Sequence, residues 1–194
     1  MVFLNTKLPR GRNRQRGVGM IEVLIAVTIS AFALLGLAGL QVASLRYQKV
    51  ANFRSLASQY GADMTDRIRA NASAVTATAA INKATYQDAE QYSTSPPSTV
   101  PACAGNPPAA CASPQAVADK DIYQWRLALN NAMAGGWGTV SAYDAVARTV
   151  TVTVYFNEPD KALAGAADPN CNAAAFPSGV DQKAIRCFTT TVTP

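Results

Sequence analysis

Val18–Leu40 reads VGMIEVLIAVTISAFALLGLAGL: 23 residues that carry a single charge, Glu22. As a helix rising 1.5 Å per residue, this stretch is roughly 34 Å long, against a hydrocarbon core of about 30 Å. It is long enough to cross a bilayer. The residues before it are of the opposite kind. Residues 1–17 hold Lys7, Arg10, Arg12, Arg14 and Arg16, contain no acid, and end in Arg16-Gly17. A basic leader, a glycine and an apolar helix with a carboxylate near its start form one arrangement, and the rest of the chain is read outward from it.

The leader also explains the overall charge. The chain of 194 residues has 17 Lys/Arg and 12 Asp/Glu, a formal charge of +5. Five of the basic residues lie in the leader, so the other 12 match the 12 acids. Without the leader the protein is not basic, which argues against a nucleic-acid binder. The leader is better read as a topogenic signal. Five positive residues precede the span, while Arg46, Lys49 and Arg54 follow it. This bias keeps the N-terminus in the cytoplasm and sends the C-terminal part outward. The four cysteines, Cys103, Cys111, Cys171 and Cys187, fit an exported domain with two disulfides. Of the three connectivities, Cys103–Cys111 with Cys171–Cys187 closes short loops within single segments. An ordinary cleaved secretion signal fits less well. Its apolar region is usually about 7–15 residues long and ends at a small-x-small site, and Gln41-Val42-Ala43 is a poor one.

The run R-G-V-G-M-I-E-V-L-I-A resembles the N-terminal signal of type IV pilins and pseudopilins. The resemblance implies cleavage by a prepilin peptidase after Gly17 and N-methylation of the new first residue, Val18. It also implies an assembly role for Glu22. The chain departs from the commonest form in having Val18 where phenylalanine is usual. Met64–Asn71, Tyr123–Trp125 and Thr149–Phe156 look like segments of a minor pilin. The resemblance implies insertion in the bacterial inner membrane by one pass, with the head periplasmic, and then a place in a pilus at the cell surface. The implied partners are the prepilin peptidase and other major and minor pilins, with no nucleic acid and no small-molecule substrate. Rival readings are a type II secretion pseudopilin, an anchored periplasmic binding module and an anchored enzyme. The binding module has no need of Glu22 or of the Arg-Gly junction.

Periodicity sets the expected fold. Val50, Phe53, Ala57, Tyr60, Met64 and Ile68 recur every three or four residues, a helical stripe. No proline stands between Pro9 and Pro96. One helix is therefore expected from about Val18 to about Asn71, with a leader over 1–17, an anchor over 18–40, an amphipathic continuation over 41–71 and a globular head over 72–194. Ala72–Tyr92 reads as weakly helical, and the proline-rich Ser93–Pro114 as loop. A second helix is expected over Asp119–Ala134, capped by Asp119 or Ser113, with Ile122, Trp125, Leu129 and Met133 buried. Gly135–Gly138 reads as a turn and Thr139–Tyr143 as a strand. Ala147–Phe156 alternates, with Val150, Val152, Val154 and Phe156 on one face and Thr149, Thr151, Thr153 and Tyr155 on the other. Ala184–Val192 reads as a last strand. A small antiparallel sheet of three or four strands beside helices is an α+β fold.

The chain has no histidine. This removes Ser-His and Cys-His nucleophiles and His-bearing zinc sites. The cysteine spacings contain no close pair of the zinc-ligand kind. Asp63 and Asp66, beside Arg67 and Arg69, read as a solvated ion-pair network rather than as acid–base catalysts. No enzyme and no cofactor is expected.

Overall fold

The structure, a computed structural model, describes residues 19–71, 86–88, 90–106, 108–158 and 165–194. The chain divides into two units, Met1–Ala43 and Ser44–Pro194. Helix α1 covers Met20–Ala70. Its buried residues are Val50, Ala57, Gly61, Met64 and Ile68, all in the second unit. They follow the three-and-four spacing of the expected stripe, and Phe53 and Tyr60 flank it half-buried.

Helix α2 covers Pro114–Ala132. Its start is five residues earlier than the hydrophobic pattern suggests. The Ser113 hydroxyl accepts from Ala116 N–H at 3.1 Å, and Pro114 occupies the first turn, where a missing N–H costs nothing. Ala118, Ile122, Trp125 and Leu129 are buried along it, and Met133 is buried at its C-terminal cap.

Strands β1 (Trp137–Val140), β2 (Val150–Asn157) and β3 (Ile185–Val192) form one antiparallel sheet in the order β1-β2-β3. Strand β1 begins inside the glycine-rich stretch that reads as a turn. Gly135, at φ +63°, leads the chain out of α2, but Trp137 and Gly138 already pair with Tyr155 and Val154. The β1–β2 connection closes with a bridge between Asp144 and Thr149. The Asp144 carboxylate accepts from Val146 and Ala147 N–H there. These two bonds hold its pKa below the usual carboxylate value, because they favour the charged form.

The two faces of the sheet carry separate cores. Val150, Val152, Val154 and Phe156 pack with Ala57, Met64 and Ile68 of α1 and with Trp125 and Leu129 of α2. On the opposite face Trp137, Tyr155 and Ile185 pack with Tyr92 and Phe176. The Tyr92 and Phe176 rings lie 5.3 Å apart, and those of Tyr155 and Phe176 5.6 Å apart. Two disulfides, Cys103–Cys111 and Cys171–Cys187, span 8 and 16 residues. The second ties the loop that carries Phe176 to β3.

The helical reading of Ala72–Tyr92 fails where it can be compared. Residues 72–85 and 89 lie outside the described residues, and 86–88 and 90–92 form no helix. Asp88 N–H donates to Val140 C=O at 3.1 Å and Tyr92 N–H to Ala175 C=O at 2.8 Å, so this segment spends its backbone on the sheet and its loop. Buried Tyr86 and Tyr92 anchor it into the two cores.

Trp125 joins three elements. Its Nε1–H donates to Tyr60 C=O of α1 at 2.8 Å, and its ring lies over Gly138 of β1. A Cβ on Gly138 would stand 2.1 Å from the ring carbons Cη2 and Cζ3 and 2.9 Å from Leu129 Cδ1. These neighbours are buried and packed, so they cannot swing aside. Gly138→Ala is therefore expected to destabilise the head by about 1–3 kcal/mol. Denaturant unfolding of the purified full chain in detergent, followed by tryptophan fluorescence, measures it.

Candidate functional site

The first candidate site is the N-terminal part of α1. Met20, Ile21, Leu24, Val27, Phe32, Leu35 and Leu40 are all exposed. None of the most apolar 18-residue window is buried, so this is not the core helix of a folded domain. The helix is long and apolar enough to cross a membrane. Its hydroxyls are satisfied within it: Thr28 Oγ1 donates to Leu24 C=O at 2.7 Å and Ser30 Oγ to Ala26 C=O at 2.8 Å. A polar group in hydrocarbon needs such a partner.

Glu22 lies in the first turn and is exposed. Its backbone N–H donates to Gly19 C=O at 3.0 Å. No described residue pairs with its carboxylate, which stands near the positive end of the helix dipole. Gly17 and Val18 lie outside the described residues. The four cysteine positions are far from Glu22 in sequence and belong to the second unit.

The second candidate region is the charged seam of the head, which periodicity does not reveal. Arg126 is 2 % exposed. Its Nε donates to Gly138 C=O at 2.8 Å, and its Nη1 pairs with Asp88 at 2.6 Å and with Glu90. The guanidinium stacks 4.4 Å from the centre of the Trp137 ring, which explains how Nη2 is buried without a hydrogen-bond acceptor. Burial pulls the Arg126 pKa below its usual value, and the carboxylates of Asp88 and Glu90 oppose that shift. The sequence signal was the placement of Arg126 four residues after Ile122, on the buried side of α2.

The network around Arg67 is larger than the solvated pairing expected of α1 alone. Arg67 meets Asp63 at 3.0 Å and also Asp121 of α2 at 3.1 Å. The Tyr86 hydroxyl donates to the same Asp121 at 2.7 Å. Arg69 and Asp66 remain an exposed pair at 3.9 Å. The contacts at Asp121 join α1, α2 and the segment of Tyr86. Among the described residues, no group of three or more His, Cys, Asp or Glu could hold a metal ion.

Residues 12–38 match the family model of the prokaryotic N-terminal methylation motif. No curated protein and no solved structure matches the chain. The motif supports a type IV pilin-like class of protein, processed as a prepilin and assembled with other pilins, and suggests a structural protein rather than an enzyme. The long apolar helix fits an inner-membrane anchor.

Burial raises the pKa of Tyr86, Tyr92 and Tyr155, and for Tyr86 the hydrogen bond to Asp121 adds to it. A raised phenol pKa favours the neutral form in the folded state. The stabilisation is complete below the unfolded value near pH 10 and is lost as pH rises through the folded values. Stability should therefore fall steadily above about pH 10. Phenolate absorbance of these three tyrosines should develop together with unfolding. A pH titration followed by absorbance and circular dichroism tests both.

Proposed function

We propose that this protein is a minor type IV pilin, similar to the type IV pilus modification protein PilV, that takes part in pilus assembly, with motility or adhesion as downstream outcomes. The observation that carries the reading is the N-terminal arrangement: a basic leader ending at Gly17, then an exposed apolar helix with its one carboxylate, Glu22, in the first turn. The methylation motif covers this arrangement. The α+β head with its two disulfides suits an oxidising compartment. The similarity of Met64–Asn71, Tyr123–Trp125 and Thr149–Phe156 to minor pilin segments favours a pilus over a type II secretion pseudopilin.

On this reading the prepilin peptidase cuts between Gly17 and Val18, and Val18 is N-methylated. The head is periplasmic until the subunit leaves the inner membrane for the filament. Glu22 then lies four residues, about one helical turn, after the new amino terminus. A carboxylate at the centre of a membrane helix costs about 2.5–3.5 kcal/mol, and less near its end. In a filament, where anchors pack without lipid, an unpaired carboxylate is strongly unfavourable. The positive α-amino group of Val18 on a neighbouring subunit offsets that cost and sets the register of addition.

N-terminal sequencing of the mature chain should return methyl-valine followed by glycine. A mature end near Ser44 would mean an ordinary signal peptide. Glu22→Ala should leave membrane insertion and cleavage intact while sharply lowering the protein recovered in sheared pili, measured by quantitative mass spectrometry. Wild-type recovery of that variant would remove the pairing role.

A further inference from the structure

The two edges of the sheet are finished differently. The bonds Ser141 N–H to Thr151 C=O and Glu158 N–H to Ala184 C=O fix the alternation of the ladders: odd-numbered residues of β2 bond to β1, even-numbered ones to β3. In β1, Gly138 and Val140 therefore point their peptide groups outward. Both carbonyls are occupied, by Arg126 Nε at 2.8 Å and by Asp88 N–H at 3.1 Å. In β3 the outward residues are Ile185, Cys187, Thr189 and Thr191, and the Ile185 N–H donates to Gln182 C=O. The Cys187 N–H donates to Asp168 Oδ2 at 3.1 Å. Among the described residues nothing pairs with the outward N–H and C=O of Thr189 and Thr191, and both residues are exposed. No proline, lysine or bulge protects this stretch, although these are the usual devices on an exposed edge.

Beside the same strand lies an open groove of about 720 Å³, lined by Arg54, Phe156, Asp168, Arg186, Cys187 and Phe188. Arg186 is held by Glu158 at 3.3 Å. Arg54 is exposed and has no ion-pair partner among the described residues.

We propose that the Thr189–Thr191 edge of β3 is a docking site for an extended segment of a different protein, which adds as a fourth strand and sets an acidic side chain against Arg54. Main-chain hydrogen bonds supply the affinity in this mode, and alternate side chains supply the specificity. Thr189 and Thr191 stand opposite Thr153 and Thr151 and share their face, so threonine or serine at alternate partner positions extends the hydroxyl rows. The intervening partner side chains fall on the face of Phe188 and Phe156, which suits apolar residues.

A second copy of this chain is a poor occupant. Head-to-tail pairing needs an open β1 edge, and Arg126 and Asp88 close it. Two-fold pairing of β3 with β3 places the axis normal to the sheet and reverses α1 in the second head. Two chains anchored in one membrane by their N-terminal parts share a direction. That second exclusion rests on the anchored reading given above, whereas the open edge does not.

The test uses the full chain purified in detergent micelles and a blocked synthetic peptide, Thr-Val-Thr-Val-Thr-Glu, in which Glu falls on the face of Phe188 and Arg54. Amide hydrogen exchange is read at Thr189 and Thr191. The peptide should slow exchange at both positions at least about tenfold, and a version N-methylated on its pairing edge should not. Thr189→Pro removes an outward N–H and no bond to β2, so it should weaken binding about tenfold, while Thr189→Ser should not. Arg54→Glu should reverse the preference from a peptide ending in Glu to one ending in Lys. Three results overturn the proposal: unchanged exchange at Thr189 and Thr191, equal protection by the N-methylated peptide, or protection that grows with protein concentration without peptide. The last result would name a second copy as the occupant and leave the pilin reading untouched.

Discussion

The head depends on one contact: Ala57, Met64 and Ile68 of α1 against the valine face of β2. These residues are fully buried, and fully burying a large apolar side chain contributes about 1.5–3 kcal/mol. The valine face of the sheet and the stripe of the helix are each apolar, and among the described residues each is covered by the other and by α2. Helix α2 completes the layer, with Trp125 closing the gap between α1 and the start of β1. The same sheet carries a second, smaller aromatic core on its other side, so both faces of β2 are partly covered. This explains why Thr153 and Tyr155 are buried despite lying on the face that alternation marks as polar.

Much of this was legible because it is periodic. The stripe on α1, the alternation of β2 and the buried positions of α2 follow from spacings of 3.6 and 2.0. What was not legible depends on contacts distant in sequence. Strand β1 starts at Trp137 and Gly138, where local composition reads as a turn, because Trp125 needs a residue without a side chain beneath its ring. Residues 86–88 and 90–92 form no helix although their composition is neutral, because the N–H groups of Asp88 and Tyr92 go to the Val140 and Ala175 carbonyls. The early start of α2 is a different case: Ser113 was one of the two caps the sequence offers, and the structure uses it rather than Asp119. For the site, the leader, Gly17 and Glu22 form a local motif read directly from the chain, and residues 12–38 match the methylation motif; the roles given to Gly17 and Glu22 belong to the proposed function. The open edge of β3 was not legible, since it is defined by which neighbours are missing.

The polar groups of the head divide into those that close surfaces and those that leave them open. Arg126 is buried at a desolvation cost, offset by Asp88, Glu90, the Gly138 carbonyl and the Trp137 ring. Arg67 and Tyr86 converge on Asp121 and fasten the end of α1 to α2. The N-terminal part of α1 shows the same economy, since Thr28 and Ser30 consume their own hydroxyls and leave Glu22 as the one polar side chain there without a partner among the described residues.

The Cys171–Cys187 bond bears on one of the two cores more than on the other. Cys171 and Cys187 both border the aromatic core of Tyr92, Trp137, Tyr155 and Phe176. The loop that brings Phe176 to that core has little other regular structure, only short turns at Ala173–Ala175 and Gln182–Ala184. While the two thiols are reduced, the larger core beneath α1 has all its parts, but the smaller one lacks the tether that holds its lid. The bond thus serves the second core, whose lid it tethers, rather than the core built on α1, α2 and the valine face.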